Sequence, residues 1–234
     1  MVSILVFDIW GEYAHFRKYF TTTSPLTYSL PPRTALCGLM GAILGYSKED
    51  YLHTFPLASA MFGIQLMEPV KKIRFSENLI DTESIARMNI IKQHTRIKFE
   101  FLKAPRYRVY FSHTDPTLMD KARKMLAAHQ CVYTPCLGIS EHIANFAYVG
   151  EHAAELQENS DPIPIYSAIR DDQIIEVIFE SQKEYMTETF PNEMTEDRTV
   201  TEYQQFMFER NCKPILAKVK KYYRLDNGEN IVIM

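Results

Sequence analysis

Residues 2–9, VSILVFDI, form a β-branched and apolar run bounded by Gly11, which predicts a buried first strand. The next twenty residues, YAHFRKYFTTTSPLTYSLPP, have no helical period and carry hydroxyls, rings and three prolines. They predict a long ordered loop, and loops of that length inside compact domains are usually functional. Pro31 and Pro32 then open a helix from Arg33 to about Gly45, because proline suits the first helical turn and Leu36, Leu39, Met40, Ile43 and Leu44 recur on one face. Ala35, Gly38, Ala42 and Gly45 form a second stripe, small enough for a close approach to a sheet or another backbone. The glycines in GLMGAILG match neither a dinucleotide fingerprint nor a phosphate loop.

Residues 58–68 alternate in part and predict a second strand, and residues 96–102 alternate cleanly with Ile97, Phe99 and Phe101 on one face. With residues 106–111 these make one third strand, interrupted at Pro105. Between them, 71–95 reads as a polar, basic insertion without a period. Asp115-Pro116 caps a second helix that buries Leu118, Ala122, Met125 and Leu126 and leaves Lys121, Arg123 and Lys124 outside. Residues 144–149 are the fourth strand. The order strand, helix, strand, strand, helix, strand predicts an α+β class and a ferredoxin-like domain over residues 1–150, the scaffold also used by RNA-recognition modules. A smaller β-rich region, 151–234, follows, with a strand near 174–179 and a closing hairpin turning at Asn227-Gly228.

With 234 residues and 46% hydrophobic composition, the chain makes one large or two small globular domains, and disordered and collagen-like classes are excluded. The greasiest charge-poor run, 34–47, falls short of the roughly 20 residues of a membrane span. Asp8 inside the first apolar run, with no basic residues before it, argues for a strand and not a secretion signal, so the expected compartment is the cytoplasm. Cys37, Cys131, Cys136 and Cys212 follow no metal or disulfide spacing, and each reads as a small buried hydrophobe. No metal and no cofactor is expected. The formal charge of −3 hides an asymmetry: residues 71–110 hold ten Lys and Arg against four Asp and Glu, whereas 151–209 hold three against fifteen. Phe75, Phe99, Phe101, Tyr107 and Tyr110 interleave with the basic stretch, a composition that suits phosphates and stacked bases, or equally a solvated half-buried hairpin. The acidic stretch reads as a solvated face or as a surface for a basic partner.

The stretch GEYAHFRKYFTTTSPLTYSLPPRTALCGLMGAILGY, Gly11 to Tyr46, resembles the N-terminal signature of the CRISPR-associated Cas-five family of the RAMP superfamily. Gln93-His94-Thr95 followed by EFLKAPRYRVYF, and LGISEHIANFAYVG at 137–150, are weaker echoes. The total length is similar to that of the family's type I-B members. The resemblance implies a Cascade subunit that grips the 5′ handle of the guide RNA (crRNA), caps the filament of Cas-seven backbone subunits, contacts the Cas-eight large subunit and reaches target DNA through the complex. It also implies that 71–95 is a basic thumb packing over the guide.

Arg17, Lys18 and Arg33 are then candidates for handle phosphates. Arg33 has a further reason, since a helix N-terminus favours an anion. Tyr28 and Tyr13 are candidates for base stacking, against the plainer reading that a loop tyrosine anchors its loop. Lys92, Arg96 and Lys98 are candidate backbone contacts on the thumb, and Arg106 and Arg108 share a strand face that is equally solvent-facing. A second function class is a metal-independent endoribonuclease that processes repeat RNA, which needs a general base and a general acid. His15 and His94 are the best-placed histidines for it. Family members of type I-C cut with a tyrosine, lysine and histidine, and the set here would be Tyr28, Lys92 and His94, although the adjacent Lys-His pair is absent. A third class is a protein-only scaffold, which would bind no RNA at any salt.

Overall fold

The computed structural model describes residues 1–80, 94–158 and 161–234. Among the described residues it is mostly antiparallel sheet with few helices. In chain order the elements are β1 (Val2–Trp10), β2 (Tyr13–Ala14), α1 (Arg33–Leu44), α2 (Tyr51–Thr54), β3 (Ala60–Leu66), β4 (Lys72–Ile80), β5 (His94–Lys103), β6 (Arg106–His113), α3 (Pro116–Ala127) and β7 (Asn145–Gln157). There follow β8 (Ile163–Ile165), β9 (Ile169–Arg170), a 3-10 turn at Asp171–Gln173, β10 (Ile174–Val177), β11 (Tyr185–Met194), β12 (Val200–Glu209), β13 (Ile215–Val219), β14 (Tyr222–Leu225) and β15 (Asn230–Ile231).

The main sheet has the order β15-β14-β7-β1-β6-β3, with every neighbouring pair antiparallel. On its helix side Leu5, Phe7 and Ile9 of β1 meet Leu36, Met40 and Ile43 of α1 and Leu118 and Leu126 of α3. On the other side Ile4 and Val6 pack with Tyr110, Ala154, Leu225 and Ile231. β1 is therefore buried on both faces, which is why its sequence is a continuous apolar run and not an alternation. The closing hairpin formed by β14 and β15, with Gly228 left-handed at its turn, seals that second side.

α1 stops at Gly45, whose φ of 82° is the left-handed cap and whose N–H bonds Gly41 O. α3 starts at Asp115, whose Oδ1 accepts from Thr117 N at 2.8 Å, with Pro116 at the first helical position. Neither contains a membrane-length apolar run; no helix among the described residues is long and apolar enough to cross a membrane.

Three sequence expectations change. Residues 96–111 are not one strand: β5 belongs to a sheet of order β2-β5-β4, and β6 to the main sheet. Between them Ala104 takes φ 48°, and Pro105 has no N–H to give to a ladder, so the chain turns out of one sheet into the other. The basic insertion is not aperiodic either, since residues 72–80 form β4, antiparallel to β5 over its whole length. Finally, Cys131 is exposed, and Cys136 and Cys212 only half-buried.

The acidic region folds onto the body through β11 and β12, whose Phe190, Phe206 and Phe208 enter the same core as α1. Part of its charge is used internally. Glu209, buried, accepts from the amides of Glu184, Asn211 and Lys213, each at 2.8 Å, and so fixes the turn after β12.

Candidate nucleic-acid interface

β4 and β5 form a two-faced antiparallel arm. Residues directly opposite one another in an antiparallel pair point to the same side. One side therefore carries Arg74 with Glu100, Ser76 with Lys98, Asn78 with Arg96, and Ile80 with His94. The other carries Ile73 with Phe101, Phe75 with Phe99, Glu77 with Ile97, and Leu79 with Thr95. The arm is thus cationic on one side and aromatic on the other.

The aromatic side docks its base on the body. Phe75 stacks on Phe101 at 4.4 Å between centroids, Tyr13 meets Phe75 edge-on at 5.9 Å, and the rings of His15 and His142 lie 5.6 and 5.0 Å from Phe101. His15 Nδ1 bonds the carbonyl of Glu100 at 2.8 Å; a carbonyl only accepts, so Nδ1 carries the proton. Burial pushes both imidazoles below the ordinary value, and for His142 the neighbouring His15 adds to the effect.

On the cationic side the base is clamped by Glu100. Its carboxylate takes Arg74 Nε and Nη2 at 3.1 and 2.9 Å and Thr27 N at 3.4 Å, with Lys72 Nζ at 3.6 Å. Burial pushes this carboxyl up, but the Arg74 hydrogen bonds, the Lys72 charge and the Thr27 amide outweigh it, and the group titrates below its ordinary value. Glu188 of β11 is the second clamp. It takes Lys18 Nζ at 3.0 Å, Ser29 N at 2.7 Å and Ser29 Oγ at 3.2 Å. Lys72 also reaches it at 3.6 Å and donates to Thr27 O at 2.8 Å. The long loop before α1, the arm and the acidic strand are joined at these two carboxylates.

The site residues expected from sequence divide accordingly. Arg33 is corrected: it is 2% exposed, and its Nη2 donates to Phe55 O and Ala60 O, both at 2.9 Å, so the guanidinium is held in the core and meets no phosphate. Tyr28 is likewise buried, edge-on to Phe190 at 5.0 Å, and takes the packing role, not stacking on a base. The Lys18 charge is spent on Glu188, and its ammonium lies 5.4 Å over the Tyr28 ring. Arg17 is exposed, with one Nη2 hydrogen bond to Thr21 O at 2.9 Å. Lys98 and Arg96 are exposed on the cationic side of the arm, where Arg96 reaches only Asn78 Oδ1, at 3.5 Å. Lys92 lies outside the described residues.

Of the cleavage set Tyr28, Lys92 and His94, the two described members, Tyr28 and His94, are not brought together. His94 stands at the start of β5, six residues from Glu100, or about 20 Å along the strand, while Tyr28 adjoins the Thr27 that bonds Glu100. Arg106 and Arg108 are ordered by the buried Asp8, at 2.9 Å each. Lys72 and Arg74 were missed as positioning residues; the signal was their alternation before Phe75, hidden by reading 71–95 as aperiodic. Among the described residues no group of three His, Cys, Asp or Glu could hold a metal.

The fold has counterparts among known proteins. The chain is similar in structure to a CRISPR protein from Archaeoglobus fulgidus, with 14% identity, 100% of this chain and 99% of that one covered, and a TM-score of 0.56. It is also similar to a chain of the Type III-B Cmr-beta bound to cognate target RNA and AMPPnP, with 11% identity, coverage of 92% and 86%, and a TM-score of 0.51. No curated protein matches it. The family model described as CRISPR-associated protein (Cas_Cas5) matches residues 4–211, a span running from β1 through the arm and both clamps to the turn after β12. On that match, the chain belongs to the CRISPR-associated protein (Cas_Cas5) family.

Proposed function

We propose that this chain is a non-catalytic, guide-RNA-binding subunit of a CRISPR effector complex in the cytoplasm. In this reading it holds the 5′ handle of crRNA, caps the filament of Cas-seven backbone subunits, contacts the Cas-eight large subunit and meets target DNA through the assembly. The body over 1–150 is read as a ferredoxin-like domain, which the strand order β7-β1-β6-β3 with α1 and α3 on one side supports. The arm is read as its thumb, with 151–234 as the β-rich second region.

The observation that carries the reading is the division of charge. The cations at the base of the arm, Lys72 and Arg74, are matched by Glu100 and Glu188, and Lys18 by Glu188, whereas Arg96 and Lys98 further along have no acidic partner among the described residues. Cations left unmatched on one side of a projecting ribbon suit a phosphate backbone.

The test is co-expression with a repeat-spacer transcript and the other subunits, followed by quantifying the RNA retained by the chain. Arg96→Glu with Lys98→Glu should lose guide RNA. For the purified chain on single-stranded RNA, Arg96→Gln with Lys98→Gln should lower the slope of log K against log salt by about 1.4, two phosphates at about 0.7 each. Unchanged retention and an unchanged slope would remove the arm from the RNA site.

A further inference from the structure

The long loop before α1 carries a feature that the clamps do not use. Its hairpin is tied by Lys18 N to Leu26 O at 2.9 Å and Tyr28 N to Phe16 O at 2.8 Å. At the end is a tight turn over residues 18–21, closed by Thr21 N to Lys18 O at 3.2 Å and by Thr21 Oγ1 to the same carbonyl at 2.7 Å. The two corner positions of that turn are Tyr19 and Phe20. Turn corners favour Gly, Pro, Asn, Asp and Ser, so two large rings there contradict local turn chemistry, and such contradictions concentrate at functional sites.

The rings are presented, not packed away. Tyr19 and Phe20 are each 61% exposed and meet edge-on at 5.3 Å, and Tyr19 touches Tyr203 of β12, itself 42% exposed, at 4.8 Å. The turn beneath them is rigid, because Lys18 is anchored on Glu188 and the Thr21 side chain is buried. Arg17 lies over the same turn through its bond to Thr21 O, with its remaining guanidinium donors free of any acidic partner among the described residues. The strand face beside Tyr203 is uncharged: Thr189 and Gln205, directly opposite one another, are exposed there.

We infer that Tyr19, Phe20 and Tyr203 form a stacking platform for an unpaired base of single-stranded RNA, with Arg17 taking the adjoining phosphate. The inference rests on the RNA-binding role proposed above and adds a second contact on the body, apart from the cationic side of the arm. A π face beside a cation, on a surface without acids, fits a nucleotide better than it fits an apolar protein segment, which would leave Arg17 unmatched.

The test is fluorescence anisotropy of the full chain with a short single-stranded oligoadenylate, over a series of salt concentrations. Tyr19→Ala with Tyr203→Ala should weaken binding about 5- to 150-fold, as loss of one base stack does, with the salt slope unchanged. Tyr19→Phe should keep wild-type affinity, and Arg17→Gln should lower the slope by about 0.7. Each variant's thermal melt should match the wild type, because the rings are exposed. If the wild type binds and the ring variants bind equally well, the platform is wrong and the RNA-binding role stands. If the wild type shows no salt-dependent binding, both fall. Ring variants that bind RNA normally but fail to co-purify with the other subunits would make the rings a protein contact and overturn the inference.

Discussion

Arg33 shows how far a single residue's role depends on partners the local sequence does not contain. Its neighbours, Pro31, Pro32 and the start of a helix, suggest an anion site, and the helix is where the periodicity puts it. The groups that claim the guanidinium are carbonyls of Phe55, Ala60 and Asn192, brought there by a turn, by β3 and by β11. We expect Arg33→Met to strand those carbonyls and cost roughly 2–5 kcal/mol, which lowers the melting temperature by roughly 4–20 °C in a chain of this size. The folded fraction should bind RNA with wild-type affinity in the same anisotropy assay; a stable variant with weakened binding would return Arg33 to the interface. Glu188 is the complementary case, an acid in a segment that reads as solvated yet faces inward under Lys18, Lys72 and Ser29. Glu188→Gln should release the Lys18 turn, visible as faster amide exchange at Lys18 and Thr21, whose N–H groups close the hairpin and the turn.

Among the elements, α1, α3 and β1 were legible because each announces itself locally, by period, cap or apolar run. The arm was half legible. β5 alternates visibly, but β4 puts Glu77 among the apolar positions and exposes Phe75 and Leu79, so its alternation mixes charge with rings. The left-handed Ala104 that separates β5 from β6 had no sequence signal, since alanine rarely takes that conformation. Docking of the arm should depend on pH in two windows. The imidazoles of His15 and His142 are depressed by burial, so the docked state prefers them neutral; their contribution is complete above the ordinary 6.5 and declines as pH falls below it. Glu100, held down by Arg74 and Lys72 against its burial, contributes fully above its ordinary 4.5 and is lost as pH falls through its lower folded value. Hydrogen exchange at Lys72–Ile80, corrected for intrinsic rates, should show both steps. His142→Phe should diminish the first and Glu100→Gln remove the second. Gly138→Ala should damage the same junction more severely, because at φ 96° its new Cβ would collide with the backbone carbonyl of His15.

At the scale of the whole molecule, the charge asymmetry was readable from counting, but its resolution was not. The acidic stretch supplies Glu188 to the long loop and keeps Glu209 for its own turn, so part of what counts as surplus is structural. The C-terminal hairpin extends the main sheet beyond β7, and Met234 N bonds Phe62 O at 2.7 Å. A chain shortened to end at residue 157 would uncover Ile4, Val6 and Tyr110. It should bind a hydrophobic dye and lose its cooperative thermal transition, whereas retention of that transition would show the first 157 residues to be self-sufficient. The continuity of β5 into β6 has a mechanical meaning. The arm is a cantilever: β4 alone spans about 30 Å, its root is gripped near Glu100, and its far strand continues into one that lies between β1 and β3. A load on the outer end is delivered as torque to β6, the second strand from one edge of the main sheet, and a small rotation at the root is multiplied into a large sweep at the end.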